Sequence, residues 1–283
     1  MSWQILLAIS VISSSVLVIL QRIFLKHDKS DPIAYSIVFQ ILIGIIIGLF
    51  TLRRGFIFPD MRPIILNMFL IAVLYGIGNI LTFKALKIID ASEYVIITAI
   101  KVLWIMVGAV MFLGESVSAK QILGTFLIIA AIVLIYWKKE KFVLSKGAGY
   151  ALLASVFMGL AFTNDAYIIK SNFDLLTYLS VAFVIPGIAQ LICFPKTISK
   201  IKFLFSKNMF WKMLVQSTVC AISALGIFYA YKLGNNAAQI APLGQLSMVF
   251  VVLLGIIFLK EKKDLLKKII GVVISFVGAM MVG

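Results

Sequence analysis

Long apolar runs, separated by short charged or proline-containing segments, follow one another along the whole chain. Most runs are about 20 residues long, the length that an α-helix needs to cross the hydrocarbon core of a bilayer. The pattern predicts an all-α polytopic membrane protein and not a barrel, whose strands would appear as short alternating segments. Ten spans are predicted, at residues 2–24, 33–52, 63–88, 91–113, 119–137, 147–170, 175–194, 210–233, 236–259 and 266–282.

The first five runs have counterparts in the last five. The sequence FKALK at 83–87 precedes helix four, and FYAYK at 228–232 precedes helix nine. Each copy then runs through an apolar helix to a short turn with a glutamate, Glu115 or Glu261, and on to Gly124 or Gly271. Because each copy has an odd number of spans, the second copy must cross the membrane in the opposite sense. The sequence thus predicts two inverted five-helix repeats, at 1–137 and 147–283, joined by a loop at 138–146.

Composition narrows the class further. Hydrophobic residues make up 63% of the chain and charged residues only 13%, whereas soluble domains have about 45–50% and about 25%. The net charge of +15 is spread over many short loops, so we expect these cations to meet anionic lipid and not nucleic acid. We therefore expect a multi-pass protein located in the cell membrane.

The loop cations are distributed unevenly between the two sides. One set of loops holds nineteen Lys and Arg residues, and the other holds six: Arg53, Arg54, Arg62, Lys120, Lys170 and Lys232. The positive-inside rule places the richer set in the cytoplasm. Both chain termini would then face outward.

No catalytic constellation is visible, so we do not expect an enzyme. The chain has no Gly-rich phosphate-binding loop of the kind that ATP-driven pumps use, and no GxSxG or HExxH pattern. The sole histidine, His27, lies in a polar loop, and Cys193 and Cys220 fall in apolar runs. We therefore expect neither a metal site nor a cofactor.

Lys101 is the strongest candidate for chemistry, because it lies near the middle of helix four. A lysine at that depth costs at least about 2.5–3.5 kcal/mol on insertion scales, so it marks a functional site by default. We expect it to anchor a substrate carboxylate or phosphate, or to form a charge pair; a static pair within the bundle is the alternative. Trp104, on the same face, would stack on the substrate or only pack. Glu93 would pair with a charge or cap the helix start.

Further candidates lie in four other helices. Asp165 in helix six would be the counter-ion of Lys101 or a proton or cation site, or it would simply reach the interface. In helix nine a proline removes a backbone hydrogen bond, and such irregularity is tolerated inside a membrane where it lines a cavity or is buried in protein. The remaining predicted substrate-binding residues are Gln239, Pro242 and Gln245 in helix nine, Tyr75 and Asn79 in helix three, and Tyr229 in helix eight.

The ten-helix repeat resembles the EamA family of the drug/metabolite transporter superfamily. The segment LGES at 113–116 followed by Gly124 is similar to the family's helix-four to helix-five signature, and LKE at 259–261 followed by Gly271 to its second copy. Family helices four and nine often carry a mid-helix proline. Pro242 fits, but helix four has Ile97 and Thr98 there, so we do not expect helix four to be broken like helix nine.

The resemblance implies a secondary transporter, commonly an exporter of amino acids or other small metabolites, with both termini in the cytoplasm. Lys101 favours small anionic or zwitterionic substrates, moved by alternating access around a midplane site between the repeats. Protons or an exchanged metabolite would be the coupled species, and the protein would be a monomer or homodimer in the lipid bilayer. The alternatives are a cationic drug exporter and, in another class, a non-transporting scaffold subunit.

Overall fold

The structure is a computed structural model of the 283-residue chain. It describes residues 2–26, 30–113, 118–138, 141–142, 144–170, 173–234, 244–261 and 263–282.

The described part of the chain is almost entirely α-helical. Two short 3₁₀ turns, Arg62–Ile64 and Pro195–Thr197, and one pair of two-residue antiparallel strands, Trp137–Lys138 and Lys141–Phe142, interrupt the helices. The helices are α1 (Trp3–Leu25), α2 (Pro32–Leu52), α3 (Ile65–Ile88), α4 (Ala91–Thr98), α5 (Lys101–Leu113), α6 (Ala119–Tyr136), α7 (Lys146–Lys170), α8 (Leu175–Cys193), α9 (Ile198–Leu204), α10 (Lys207–Gly234), α11 (Leu246–Phe258) and α12 (Leu265–Val282).

Seven helical segments among the described residues are long and apolar enough to cross a membrane, and two shorter apolar helices accompany them. This agrees with a multi-pass helical membrane protein. The count of ten spans stays a prediction, because the first part of predicted helix nine, residues 236–243, lies outside the described residues.

Helix four is broken, which corrects the sequence prediction of one continuous helix from 91 to 113. α4 ends at Thr98, and α5 begins at Lys101. The Thr98 hydroxyl donates to the Tyr94 carbonyl at 2.9 Å, and this type of side-chain bond bends helices. The amides of Ile100 and Leu103 then bond to carbonyls three residues back, at 3.3 and 3.0 Å. A threonine therefore takes part in a break for which the sequence analysis required a proline.

The two halves pack against each other through pairs of helices, one helix from each half. α1 packs on α10 and α3 on α7, while α2 pairs with α8, α6 with α12, and α4 with α11. In the predicted repeat, helices one to five correspond to helices six to ten. If every helix is replaced by its counterpart, each of these packed pairs becomes itself or another pair of the same set. This is the pattern that a two-fold axis between the halves produces.

Small residues allow the closest of these contacts. A Cβ on Gly44 of α2 would lie 2.8 Å from the Ser180 carbonyl of α8, and a Cβ on Gly187 of α8 would lie 2.7 Å from Ile41. Such pairs let two helix backbones approach each other inside a membrane. The α2–α8 pair is thus fixed by backbone shape as well as by apolar contact.

The helix ends define two faces of the bundle. The segments after α1, α3, α8 and α11 meet at one face, which we call the basic end. There Lys87 donates to the Ser30 carbonyl, Lys200 pairs with Asp31 at 2.7 Å, and the Ala91 amide donates to Glu261. At the opposite end, the Ile57 amide bonds to Thr177 at 3.0 Å. Between the ends lie two large hydrophobic clusters, one built mainly on α2, α3, α8 and α10 and the other on α4, α6, α11 and α12.

Candidate functional site

A buried carboxylate held by two tyrosines forms the centre of the candidate site. Asp165 of α7 has only 3% of its surface exposed. Its two oxygens accept hydrogen bonds from Tyr75 of α3 and Tyr178 of α8, each at 2.5 Å. Three helices from both halves of the chain therefore converge on one acid.

The electrostatic surroundings of this acid are unusual for a buried charge. Buried carboxylates are generally paired with a cation or a metal, whereas both hydrogen-bond partners of Asp165 are neutral hydroxyls. The ion pairs found among the described residues involve Asp31 and Asp90, and not Asp165. The site is consequently short of positive charge.

Three carboxamides extend the cluster along the bundle. The Asn79 amide of α3 donates to Gln40 Oε1 of α2 at 3.0 Å, and Gln40 Nε2 donates to Ser36. On α8, Gln190 donates through Nε2 to the Gly76 carbonyl at 2.6 Å, while its buried Oε1 has no partner among the described residues. These groups can offer both donors and acceptors to a polar ligand.

A cavity of about 30 Å³ lies beside Asp165. Its polar lining comes from five side chains and its apolar wall includes Phe183 of α8 and Phe228 of α10. A space of this size holds one or two water molecules, so a larger ligand would require the helices to separate. The polar lining consists of Gln40, Tyr75, Asn79, Asp165 and Tyr178.

Toward the end opposite the basic end, α3 and α7 are joined by a pair of asparagines, of which Asn164 is the neighbour of Asp165 along the chain. Asn67 Nδ2 donates to Asn164 Oδ1 at 2.7 Å, and Asn164 Nδ2 donates to the Asn67 carbonyl at 2.9 Å. Asn67 is the third residue of α3. It lies about 18 Å before Asn79 along the helix at 1.5 Å per residue, and the residues between Asn67 and Tyr75 are apolar.

Lys101 lies between α5 and α7, and thus at a different helix interface from Tyr75 and Tyr178. It is the first residue of α5 and is partly buried, with its Nζ 5.6 Å from the centre of the Phe162 ring on α7. The ion pairs of the described residues do not include it. Phe162 and Asp165 are three residues apart on α7, about 4.5 Å along the helix axis. The lysine and the acid therefore meet neighbouring turns of the same helix.

Close packing fixes the α5 side of this arrangement. A Cβ on Gly159 would lie 2.8 Å from the Lys101 carbonyl and 2.5 Å from the Trp104 Cβ. Gly108 of α5 makes the reciprocal contact with Thr163. Trp104 thus lies at the contact between α5 and α7, where its Cβ packs against Gly159.

The other predicted residues are spread around the bundle. Glu93 is in the first turn of α4 and is half-buried. Tyr229 packs against the cluster around α2 and α10, next to the cavity residue Phe228. Gln245 occupies the turn before α11 and accepts a bond from the Met248 amide at 3.0 Å. Gln239 and Pro242 lie outside the described residues.

The structure thus brings three of the predicted residues, Tyr75, Asn79 and Asp165, to one cavity. It adds Gln40 and Tyr178, which the sequence analysis missed. Gln40 had a visible signal, since it is a glutamine in the middle of an apolar span. Tyr178 had none, because a tyrosine near a helix start is usual at a membrane interface. Among the described residues, no group of three His, Cys, Asp or Glu side chains is placed to hold a metal ion.

The fold and the site define a class: a multi-pass helical membrane protein of two equivalent halves with a polar cluster inside the bundle. The model of the EamA-like transporter family matches residues 1–137 and again 145–283. The chain therefore belongs to the EamA family, which is part of the drug/metabolite transporter superfamily. It is an integral membrane protein of a transporter family.

Comparison with solved structures gives the same fold. One crystal structure, 14% identical in sequence, matches 97% of this chain and 99% of its own with a TM-score of 0.61. No curated protein matches the sequence.

Proposed function

We propose that this protein is a secondary transporter of small zwitterionic metabolites, such as amino acids, and that Asp165 binds the substrate amine. The observation that carries the proposal is the Asp165 carboxylate, which is buried beside a cavity and whose hydrogen-bond partners among the described residues are the Tyr75 and Tyr178 hydroxyls. A substrate ammonium supplies the positive charge that these partners do not. The gain is large because a charge–charge hydrogen bond strengthens when water is excluded.

Lys101 gives the same substrate its second contact. The lysine lies at the start of α5, directly after the break in helix four, and its ammonium is beside the helix turn that precedes Asp165. Discontinuous helices mark substrate sites in transporters built from inverted repeats. A zwitterion carries a carboxylate for Lys101 and an amine for Asp165. This substrate class uses both charges, whereas a simple organic anion uses only Lys101.

The mechanism we propose is alternating access. Helices of the half 1–137 pack on helices of the half 147–283. The cavity lies among helices of both halves, namely α2, α3, α7, α8 and α10. Relative movement of the bundles would enlarge the cavity toward one end and then the other. With the loop charges taken as the guide, the basic end faces the cytoplasm, and the direction we propose is export.

Ligand-dependent thermal stability tests the substrate class. The protein in detergent is heated with amino acids, organic acids, sugar phosphates and lipophilic cations, as wild type, Lys101→Met and Asp165→Asn. A ligand that binds only the folded protein raises its stability by RT ln(1 + [L]/Kd). We expect amino acids to stabilise the wild type and to lose most of this effect in both variants.

The other results each point elsewhere. Stabilisation by lipophilic cations that is lost in Asp165→Asn but kept in Lys101→Met would establish the cation exporter, which the acid alone also supports. Stabilisation by organic acids or sugar phosphates that is lost only in Lys101→Met would make the substrate an anion. If no compound shifts the wild type and vesicles containing it take up none of them, the scaffold alternative replaces the transporter.

A further inference from the structure

The start of α4 is capped by a residue from the other half of the chain. The Ala91 and Ser92 amides donate to the Glu261 carboxylate at 2.8 and 3.0 Å, and the Ser92 hydroxyl donates to it as well. A helix start is normally satisfied by the residue just before it, but Asp90 makes no such bond. Glu261, about 170 positions away in the turn between α11 and α12, takes its place.

Asp90 is thereby free to bind two cations. Lys268 of α12 donates to one carboxylate oxygen at 2.6 Å, and Arg22 of α1 lies 3.7 Å from the other. Arg22 also donates to the Leu86 carbonyl at the end of α3 at 2.7 Å. Both cations are buried, whereas the sequence prediction counted Arg22 and Lys268 among the nineteen charges of the richer set of loops; for these two residues that prediction was wrong. Together, Asp90, Glu261, Arg22 and Lys268 form what we call the basic-end cluster.

The turn that carries Glu261 is shaped to present it. The Glu261 amide bonds to the Gly255 carbonyl at 3.2 Å, and a Cβ on Gly255 would lie 2.9 Å from Glu261 Oε2. Lys260 and Asp264, on either side, have positive φ angles of 55° and 51°, which non-glycine residues adopt only at a cost. The backbone here is held in an unfavourable form that points one carboxylate at α4.

The cluster lies where relative movement must occur. Glu261 and Lys268 belong to the second half, and Asp90 and the start of α4 belong to the first. Opening the basic end by separating these halves must therefore break the bonds to Glu261. Glu115, the counterpart of Glu261 in the sequence repeat, lies outside the described residues.

We propose that Glu261 is a gating residue of transport: its bonds to α4 hold the basic end closed in the conformation seen here and break when that end opens. We call this contact between Glu261 and the start of α4 the latch of the basic end. This inference rests on the alternating access proposed above, but it does not depend on which substrate binds.

Cysteine labelling tests the latch without any substrate. Cys193 and Cys220 are replaced by alanine, and Ala85→Cys, at a fully buried position of α3 near the basic end, reports access of a water-soluble maleimide. Glu261→Gln is expected to label about tenfold faster than the parent, the change that corresponds to weakening one charged hydrogen bond. Asp264→Asn is the matched control, since it removes the same charge from an exposed residue of the same turn and is expected to label like the parent.

One further variant keeps the test decisive. Ser92→Ala removes one donor to Glu261 with little risk to folding and is expected to give a smaller increase. Equal labelling of Glu261→Gln, Ser92→Ala and Asp264→Asn would overturn the latch.

Discussion

Two buried acids in this protein have opposite surroundings. Asp165 has two neutral hydroxyls for partners and a cavity beside it. Glu261 is also buried, but its carboxylate accepts three bonds from the start of α4, and buried cations bind the adjacent Asp90. A buried acid with a complete set of partners stabilises one conformation. A buried acid with too few partners and open space beside it is suited to a ligand.

The largest effect is expected at Asp90, the acid beside Glu261, when the nearer of its two cations is removed. Lys268→Met leaves Asp90 with only the more distant Arg22 and should lower the free energy of unfolding by about 3 kcal/mol, as the loss of one member of a buried ion pair does. Denaturant titration in mixed micelles measures the change. Asp90→Asn combined with Lys268→Met should cost less than the sum of the two single changes. Lys263→Met, at an exposed position of the same turn, should have no comparable effect.

The direct comparison of the acids is made by neutralising each one. Glu261→Gln should lower the free energy of unfolding by about 2 kcal/mol, because charged hydrogen bonds to α4 are lost. Asp165→Asn should leave stability unchanged or raise it, since no cation among the described residues pairs with Asp165 and the cost of burying a charge disappears. Thermal unfolding of both variants in one detergent measures the difference. A loss of stability in Asp165→Asn as large as that in Glu261→Gln would show that the two acids are alike.

A smaller effect is expected at the hydroxyls of the site. Tyr75→Phe and Tyr178→Phe each remove one bond to Asp165 and should change the Kd of a bound amino acid by up to about tenfold. Titration of ligand-induced thermal shifts measures the Kd. Tyr35→Phe is the control, because Tyr35 bonds to Gln216 of α10 and does not line the cavity. A Kd change in the control equal to that in the other two would indicate a general packing effect.

The smallest effect is expected at a third acid, outside the spans. Burial tends to raise the pKa of Asp31, but Lys200 and the amides of Ala34 and Ile33 outweigh it, so the pKa is lowered. A lowered pKa means that the stabilisation is present above the unfolded-state value of about 3.9 and is lost as the pH falls through the folded-state value. Asp31→Asn should remove the part of the pH dependence of the unfolding midpoint that comes from Asp31. This part corresponds to less than about 1 kcal/mol, because the partner Lys200 is exposed. An unchanged pH profile in the variant would assign the acid sensitivity to other groups.

Helix four shows how far local sequence reasoning reached. Its apolar run predicted the span, and Lys101 marked its polar point. The break between α4 and α5 was missed because the prediction required a proline, whereas the Thr98 side chain bonds to the backbone and shorter-range hydrogen bonds follow. The position of the break agrees with the repeat, since Ile100 corresponds to Gln245 in the turn before α11. The second copy thus contained a signal for the first.

The sequence by itself determined the membrane class, the family and three of the polar residues at the cavity, Tyr75, Asn79 and Asp165. These properties depend on the length and polarity of single segments, and a lysine or aspartate within an apolar run is visible without knowing its neighbours. Only the tertiary structure decided which acid meets which partner. Asp165 contacts Tyr75 and Tyr178, and Glu261 contacts Ala91 and Ser92. These partners are separated by as many as 170 positions, and helix packing, not sequence spacing, brings them together.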